Sequence, residues 1–257
     1  MRWLIFLIQC AVSVWIYSKL FKNWFSMSFQ GRRGYLMEYN GFDVYWDGHA
    51  SVRVVDEGFT TAVDPFGQVS PDFDADLVLV THEHTGHFDP VKLEEVCSSG
   101  TCVVIPDSMD PDDIPCSDVE TMEEGQEIDI FGITVEAVSM YNDRHERGEG
   151  FGYRFEMRGH SFFVAGDTGL IDEFFDLENR VNVAFLPVEG DYTMDVDEAI
   201  KSAVRIKPDM VVPYHYGKPF FSDMSVDLKA FRNELEDRNI RCEIIESKYL
   251  DETAQAE

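Results

Sequence analysis

Three histidines fall within six residues in segment 82–87, whose sequence is His-Glu-His-Thr-Gly-His. The segment follows the apolar run 77–80, which is short, rich in β-branched residues and typical of a buried strand. His82 and His84 lie two residues apart and share one side of an extended chain, and His87 returns to that side if the chain turns. Three imidazole nitrogens with an open fourth position are typical of a catalytic zinc site. The spacing predicts a metal centre at a sheet edge, with a solvated histidine-rich loop as the alternative.

Three more residues with metal-binding side chains stand near the ends of predicted strands. His145 lies in the charged run 143–147, Asp167 in a turn that interrupts a strand, and His215 directly after the apolar run 210–214. Each has a simpler interpretation: an exposed histidine, a carboxylate that caps a turn, and a core histidine held by hydrogen bonds. Their positions near strand ends leave both interpretations open, and a ligand role would require them to converge on the same edge as segment 82–87.

The elements that must position these residues are many short strands and a few helices. Segments 42–46, 51–55 and 60–63 are strand-like and separated by turn sequences, so the chain opens with antiparallel hairpins. Pro90 at a first helical position and the pair Asp195 and Glu198, spaced as a capping box, predict helices after 90 and 195. Segment 226–238 is amphipathic, and strands alternate with helices in the later part of the chain. The pattern predicts a single-domain α/β sandwich with helices outside paired sheets.

Seven short motifs occur in an order that resembles the metallo-β-lactamase superfamily, specifically its small stand-alone branch related to L-ascorbate-6-phosphate lactonase. They are Gly48-His49, Val63-Asp64-Pro65, Thr81-His82-Glu83-His84, segment 141–153 with its spaced glycines, Ala165-Gly166-Asp167-Thr168, segment 186–194 and Pro213-Tyr214-His215-Tyr216-Gly217. The resemblance covers residues 37–245. It implies a metallo-β-lactamase-like αββα sandwich and a metal-dependent hydrolase.

The resemblance also implies roles for the individual residues. His82, His84 and His145 would bind one metal ion, His87 and His215 a second, and Asp167 would bridge the two. The implied metal is zinc, one ion or two, and a hydroxide held by the metal would be the nucleophile. Asp167 and His84 are the predicted catalytic residues. Asp64 would orient a ligand histidine through a hydrogen bond.

One position departs from the family pattern, which has an aspartate ligand of the second metal where this chain has Gly86. Either the second ion binds weakly and one zinc ion acts alone, or another carboxylate replaces the missing one. Asp89 and Asp191 are the candidates, although Asp89 fits better as a helix N-cap before Pro90 and Asp191 as part of an acidic loop. His49 is either a hairpin residue or part of the metal pocket.

The predicted ligand residues as a set indicate a hydrolase that cleaves an ester, lactone, amide or phosphodiester bond in a small molecule. No motif specifies the substrate or the oligomeric state. The alternative is a non-catalytic protein of the same fold that binds a metal or a metabolite, and Gly86 is the feature that favours it. The remaining motif residues favour the enzyme.

The charge distribution narrows the choice of partners. The net charge is −28, and all 49 acidic residues follow residue 37, together with only 16 of the 21 bases. Such a surface repels polyanions, so we expect no nucleic-acid partner. Strongly acidic proteins are typical of a proteome adapted to high salt, as in haloarchaea, because salt screens the self-repulsion.

The cysteines and the amino terminus bear on the cellular location. Five cysteines without C-x-x-C spacing predict reduced thiols in a cytosol. Residues 1–36 form a hydrophobic and basic leader whose apolar run 3–17 is short for a membrane span. The leader is either a membrane anchor or a segment that is not translated, because translation begins at Met27 or Met37. A signal peptide is the less favoured alternative. We therefore predict a cytoplasmic domain at 37–247 and a disordered acidic tail at 248–257.

Overall fold

The computed structural model describes residues 36–68, 70–217 and 226–245 of the 257-residue chain. The described residues form two seven-stranded sheets. The first contains β1 (Leu36–Tyr39), β2 (Phe42–Gly48), β3 (Ser51–Asp56), β4 (Phe59–Val63), β5 (Ala75–Leu79), β6 (Cys97–Pro106) and β7 (Asp118–Met122). The second contains β8 (Glu127–Ile130), β9 (Ile133–Ser139), β10 (Phe151–Met157), β11 (His160–Val164), β12 (Val183–Pro187), β13 (Met210–Tyr214) and β14 (Arg241–Cys242). The helices are α1 (Pro90–Val96), α2 (Val196–Ile206) and α3 (Leu228–Glu236), with short 3₁₀ turns at Pro111–Asp113 and Asp172–Leu177.

The two sheets have the same plan. In each, the first four strands pair antiparallel and the last three continue the sheet in parallel. The predicted hairpins at β2, β3 and β4 are confirmed. The sequence patterns did not predict β7, whose residues are mostly exposed. The last strand of the second sheet is short and contains only Arg241–Cys242.

The alternation of side chains along β5 shows how the layers are built. Leu77 and Leu79 point into the core between the two sheets, whereas Val78 and Val80 point to the outer face. There they pack against Leu93 of α1. A strand buried on both faces needs apolar residues at every position, and this explains the unbroken apolar run before the histidines.

The helices α2 and α3 pack beside each other, with α2 against β12 and α3 against β14. Asp195 caps α2 as predicted, accepting from the backbone N–H of Glu198 while the Glu198 side chain accepts from the backbone of Asp195. Helices therefore lie outside both sheets, and the predicted single-domain αββα sandwich is confirmed.

The strand ends that carry the predicted ligands meet at one edge of the sandwich. His82 follows β5 in the first sheet, while Asp167 follows β11 and His215 follows β13 in the second. A backbone bridge between His82 and Gly150 joins the sheets there, and the N–H of Phe151 donates to the carbonyl of Thr81 at 2.9 Å. This link brings predicted ligand residues from both halves of the chain together.

The prediction that all the cysteines are free is wrong for Cys97 and Cys116, which form a disulfide. Their separation of 19 residues follows no metal-binding or redox spacing, and only the return of the chain after β6 brings their Cα atoms within 6.0 Å. Cys102 and Cys242 are buried free thiols. Because Cys97 and Cys116 are not free thiols, they no longer support the expectation of a reducing compartment.

Nearly all of the predicted leader and all of the predicted acidic tail lie outside the described residues. Within the described ranges, none of the helices has the length and apolar character needed to cross a bilayer.

Candidate metal centre

Asp167 lies at the centre of the predicted ligands. Its side chain is buried, and its two carboxylate oxygens face different histidines. Oδ2 lies 3.7 Å from Nε2 of His145 and 4.0 Å from Nε2 of His82. Oδ1 lies 3.2 Å from Nε2 of both His87 and His215. The carboxylate therefore stands between two clusters of imidazoles, as a bridging ligand must.

The first cluster consists of His82, His84 and His145, each of which offers one ligand nitrogen within 4.8 Å of the others. Nδ1 of His84 lies 3.1 Å from Nε2 of His145. His145 is held by Asn142, whose Oδ1 lies 3.2 Å from the ring Nδ1 and accepts from the backbone N–H at 2.9 Å. His82 and His145 are buried, whereas His84 is exposed. The first cluster is thus open to solvent on the side of His84.

The second cluster contains the two predicted histidines, His87 and His215, both almost fully buried. Nδ1 of His87 lies 2.8 Å from Oδ2 of Asp64. Asp64 is itself held by Thr81, which donates to it from its backbone N–H and from its hydroxyl. A carboxylate that fixes the orientation of a ligand imidazole is a common support of metal sites. The contacts of Asp64 agree with the role predicted for it.

His49 also lies in the second cluster. Its ring centroid is 4.2 Å from that of His215 and 5.4 Å from that of His87. The three residues offer ligand atoms within 4.8 Å of one another. The structure places the His49 ring beside those of His87 and His215, and a role in the metal pocket stays a prediction.

The two carboxylates predicted as substitutes for the missing aspartate lie elsewhere. Asp89 is the N-cap of α1 and accepts from the backbone N–H groups of Gly67, Val91 and Lys92. Asp191 is about half exposed and forms an ion pair of 2.5 Å with Arg144. Neither carboxylate belongs to a ligand group of the described chain.

Burial and charge determine the protonation of the ligands. Burial lowers the pKa of His82 well below its usual value and that of His215 to about 4. These rings are therefore neutral near pH 7, which is the form that binds a metal. Burial would raise the pKa of Asp167, but the imidazoles of His215 and His87 hold it well below its usual range.

His87 behaves differently from the other buried imidazoles. Burial opposes its charge, yet Asp167 and Asp64 on its two sides raise its pKa to about 10. The position between two carboxylates favours a cation, either a proton or a metal ion. Metal binding at His87 therefore competes with protonation.

The donor set fits a divalent metal. Nε2 of His82 is buried, faces Asp167 at 4.0 Å and has no hydrogen-bond partner in the described parts of the chain. Histidine nitrogens with a single carboxylate are the ligands that zinc accepts, whereas magnesium and calcium prefer oxygen.

Sequence reasoning missed two residues that support the site. Asn142 was part of a motif but received no role. Glu189 has a fully buried side chain that accepts from the backbone N–H groups of Asp191 and Tyr192, and it lies 4.0 Å from Nδ1 of His215. Its position two residues after the end of β12 was the available signal, because β12 lies beside the strands that carry Asp167 and His215.

Comparison with known proteins agrees with this architecture. Residues 43–215 match the beta-lactamase superfamily domain. A UPF0173 metal-dependent hydrolase of Methanopyrus kandleri is 30% identical over 224 residues, which cover 79% of this chain and 95% of that protein. Another from Thermoplasma acidophilum is 33% identical over 193 residues, covering 67% of this chain and 82% of that protein.

A solved structure gives the same result. The crystal structure of a protein assigned as a metal-dependent hydrolase, from Parabacteroides distasonis, superposes with a TM-score of 0.71 at 27% identity and covers 84% of this chain and 99% of that one. The narrower resemblance to the lactonase branch stays a prediction. The chain belongs to the beta-lactamase superfamily and, within it, to the UPF0173 family of metal-dependent hydrolases.

Proposed function

We propose that this protein is a zinc-dependent hydrolase of small molecules with a bond of the ester, lactone, amide or phosphodiester type. The observation that carries the proposal is the position of Asp167, whose two oxygens face His82 and His145 on one side and His87 and His215 on the other. One carboxylate between two groups of imidazoles suits two cations, because its charge offsets their repulsion.

The residues of the chain have separate tasks in this scheme. His82, His84 and His145 would hold one ion and His87 and His215 the other, with Asp167 shared. Divalent zinc bound there would lower the pKa of a water molecule to near neutrality and polarise the substrate oxygen that gains charge. Asp64 and Asn142 keep the rings of His87 and His145 in place, so that little reorganisation is needed during the reaction.

The substrate would approach from the exposed side of His84. A surface cavity of about 800 Å³ has none of the ligand residues in its wall and adjoins the site through Asn142, whose side-chain amide donates to the carbonyls of Asp167 and Tyr192. Arg144 stacks over the ring of Tyr192 at 4.5 Å and pairs with Asp191 along the same cavity. A cavity of this size accommodates a small molecule.

The acidic surface supports a small-molecule substrate over nucleic acid. The proposed location is the cytoplasm, with a tether through the leader as a further option.

The test is hydrolysis with and without metal. Purified full-length protein is stripped with a chelator and assayed against nitrophenyl esters, a nitrophenyl phosphodiester and simple lactones. We expect no turnover by the stripped protein and turnover of at least one class after zinc is added. Zinc-loaded protein that hydrolyses none of the classes would favour the alternative, a metal-binding protein without catalysis.

A further inference from the structure

The place left by Gly86 is filled by another side chain. A Cβ atom built on Gly86 would lie 2.6 Å from Nε2 of His49 and 3.0 Å from its Cδ2. A Cβ atom does not approach a non-bonded carbon or nitrogen so closely, so a side chain at position 86 and the His49 ring in its present place exclude each other. Gly86 also has a φ of +105°, a conformation that suits glycine and strains other residues.

His49 is held in this place by the fold. It lies in the turn between β2 and β3, and its carbonyl accepts from the indole N–H of Trp46 at 2.8 Å. The same carbonyl accepts from the backbone N–H of His215 at 3.0 Å. These bonds fix the hairpin turn of the first sheet to the end of β13 in the second. The residue is only 6% exposed, and its ring is directed inward, against those of His87 and His215.

We propose that His49 is a ligand of the second metal ion and replaces the aspartate that Gly86 cannot supply. The inference rests on the proposed metal function. The second ion would then have three imidazoles, from His49, His87 and His215, and one oxygen of Asp167. This set matches the first, in which His82, His84 and His145 share the other oxygen. Because Gly86 has no side chain, it leaves room for the imidazole of His49. The absence of the family aspartate is therefore what allows His49 to take its place.

The exchange of a carboxylate for an imidazole has a chemical consequence. The second site loses one negative charge and gains a nitrogen donor. Nitrogen donors favour zinc over magnesium and manganese, which prefer carboxylate and water. We therefore expect the second site to select zinc over these two ions.

The test is zinc stoichiometry of the full chain in high salt. Metal-free protein is titrated with zinc by calorimetry, and bound metal is counted after gel filtration. Wild type should bind two equivalents and His49→Asn one. Asparagine tolerates the φ of 48° at this position, and its amide is too short to replace the imidazole. His49→Gly accepts the same φ and repeats the measurement if the asparagine variant does not fold.

The matched control is His160→Asn, which changes a histidine at the start of β11 outside the ligand groups. It should keep two equivalents. Two further variants return an aspartate to the position where the family has it. The double variant His49→Asn, Gly86→Asp should regain the second zinc ion. Gly86→Asp alone places the new side chain against His49, so this variant should not bind more zinc than wild type.

The outcomes separate the two proposals. If His49→Asn binds two ions as tightly as wild type, or if wild type binds only one, the role of His49 is wrong and the hydrolase proposal stands. If wild type binds no zinc at all, both are wrong.

Discussion

The two ligand clusters around Asp167 differ in how they are supported. The histidines of the second cluster are buried, with Asp64 behind His87 and Glu189 near His215. The first has one exposed member, His84, and depends on Asn142 to hold His145. One half of the centre is therefore built into the core, and the other half faces the solvent.

This difference suggests a division of labour. A buried cluster with carboxylates behind it holds a cation firmly and offers no route for a substrate. A cluster with an exposed histidine is held less rigidly, and a substrate can approach the metal centre from the side of that histidine. Variants that remove support from one cluster and not the other test this view.

Asp167→Asn is expected to reduce metal binding and hydrolysis the most, since both clusters share this carboxylate. The change removes the only negative charge that faces imidazoles of both clusters among the described residues. We expect loss of both ions at micromolar zinc and a fall in hydrolysis of more than about 100-fold. Metal analysis after gel filtration checks it, and retention of two ions would contradict the shared role.

A selective effect is expected from Asp64→Asn. Removing the charge behind His87 weakens the orientation and basicity of one ligand in the second cluster, and such changes cost roughly 10–100-fold in metal affinity. The expected result is a weaker second zinc equivalent and an unchanged first one. Circular dichroism controls for folding, because Asp64 also accepts from Thr81. Equal weakening of both equivalents would mean that the clusters are not independent.

Asn142→Ala is expected to have a smaller effect on zinc affinity, and in the first cluster instead of the second. His145 loses the acceptor of its ring N–H, but the ring still lies against His84 and Asp167. The zinc affinity of the first cluster should fall by about 10-fold, at the lower end of the range for such supports, while the second is unchanged. A loss in the second cluster instead would reverse the assignment.

No change in metal binding is expected for Asp89→Ala or Asp191→Asn. Asp89 caps α1, so its loss should destabilise the fold by about 1 kcal/mol. Asp191 is exposed and paired with Arg144, and exposed pairs contribute roughly 0–1 kcal/mol. Urea unfolding and zinc titration check both. A lost zinc equivalent in either variant would show that a distant carboxylate reaches the centre.

Much of the first cluster and of the fold was predictable from local patterns. The apolar run before His82, the turn residues between β2, β3 and β4, and the capping box at Asp195 depend only on neighbours in the chain. The family resemblance added His145, Asp167 and His215, because they occur in motifs of fixed order. These predictions concern residues whose local sequence carries the signal.

The details of the second cluster could not be predicted in the same way. Gly86 indicates that a ligand is missing, but nothing in the sequence shows that a side chain 37 positions earlier fills the space. That requires the turn after β2 to be fixed against β13, which is a contact between two sheets. The Cys97–Cys116 disulfide and the support from Glu189 depend on similar long-range contacts.

The most direct test of the two-cluster centre is anomalous diffraction at the zinc edge from crystals of the zinc-loaded protein. We predict two peaks, one beside each carboxylate oxygen of Asp167, with His82, His84 and His145 around one and His87 and His215 around the other. A single peak, or peaks away from Asp167, would contradict it.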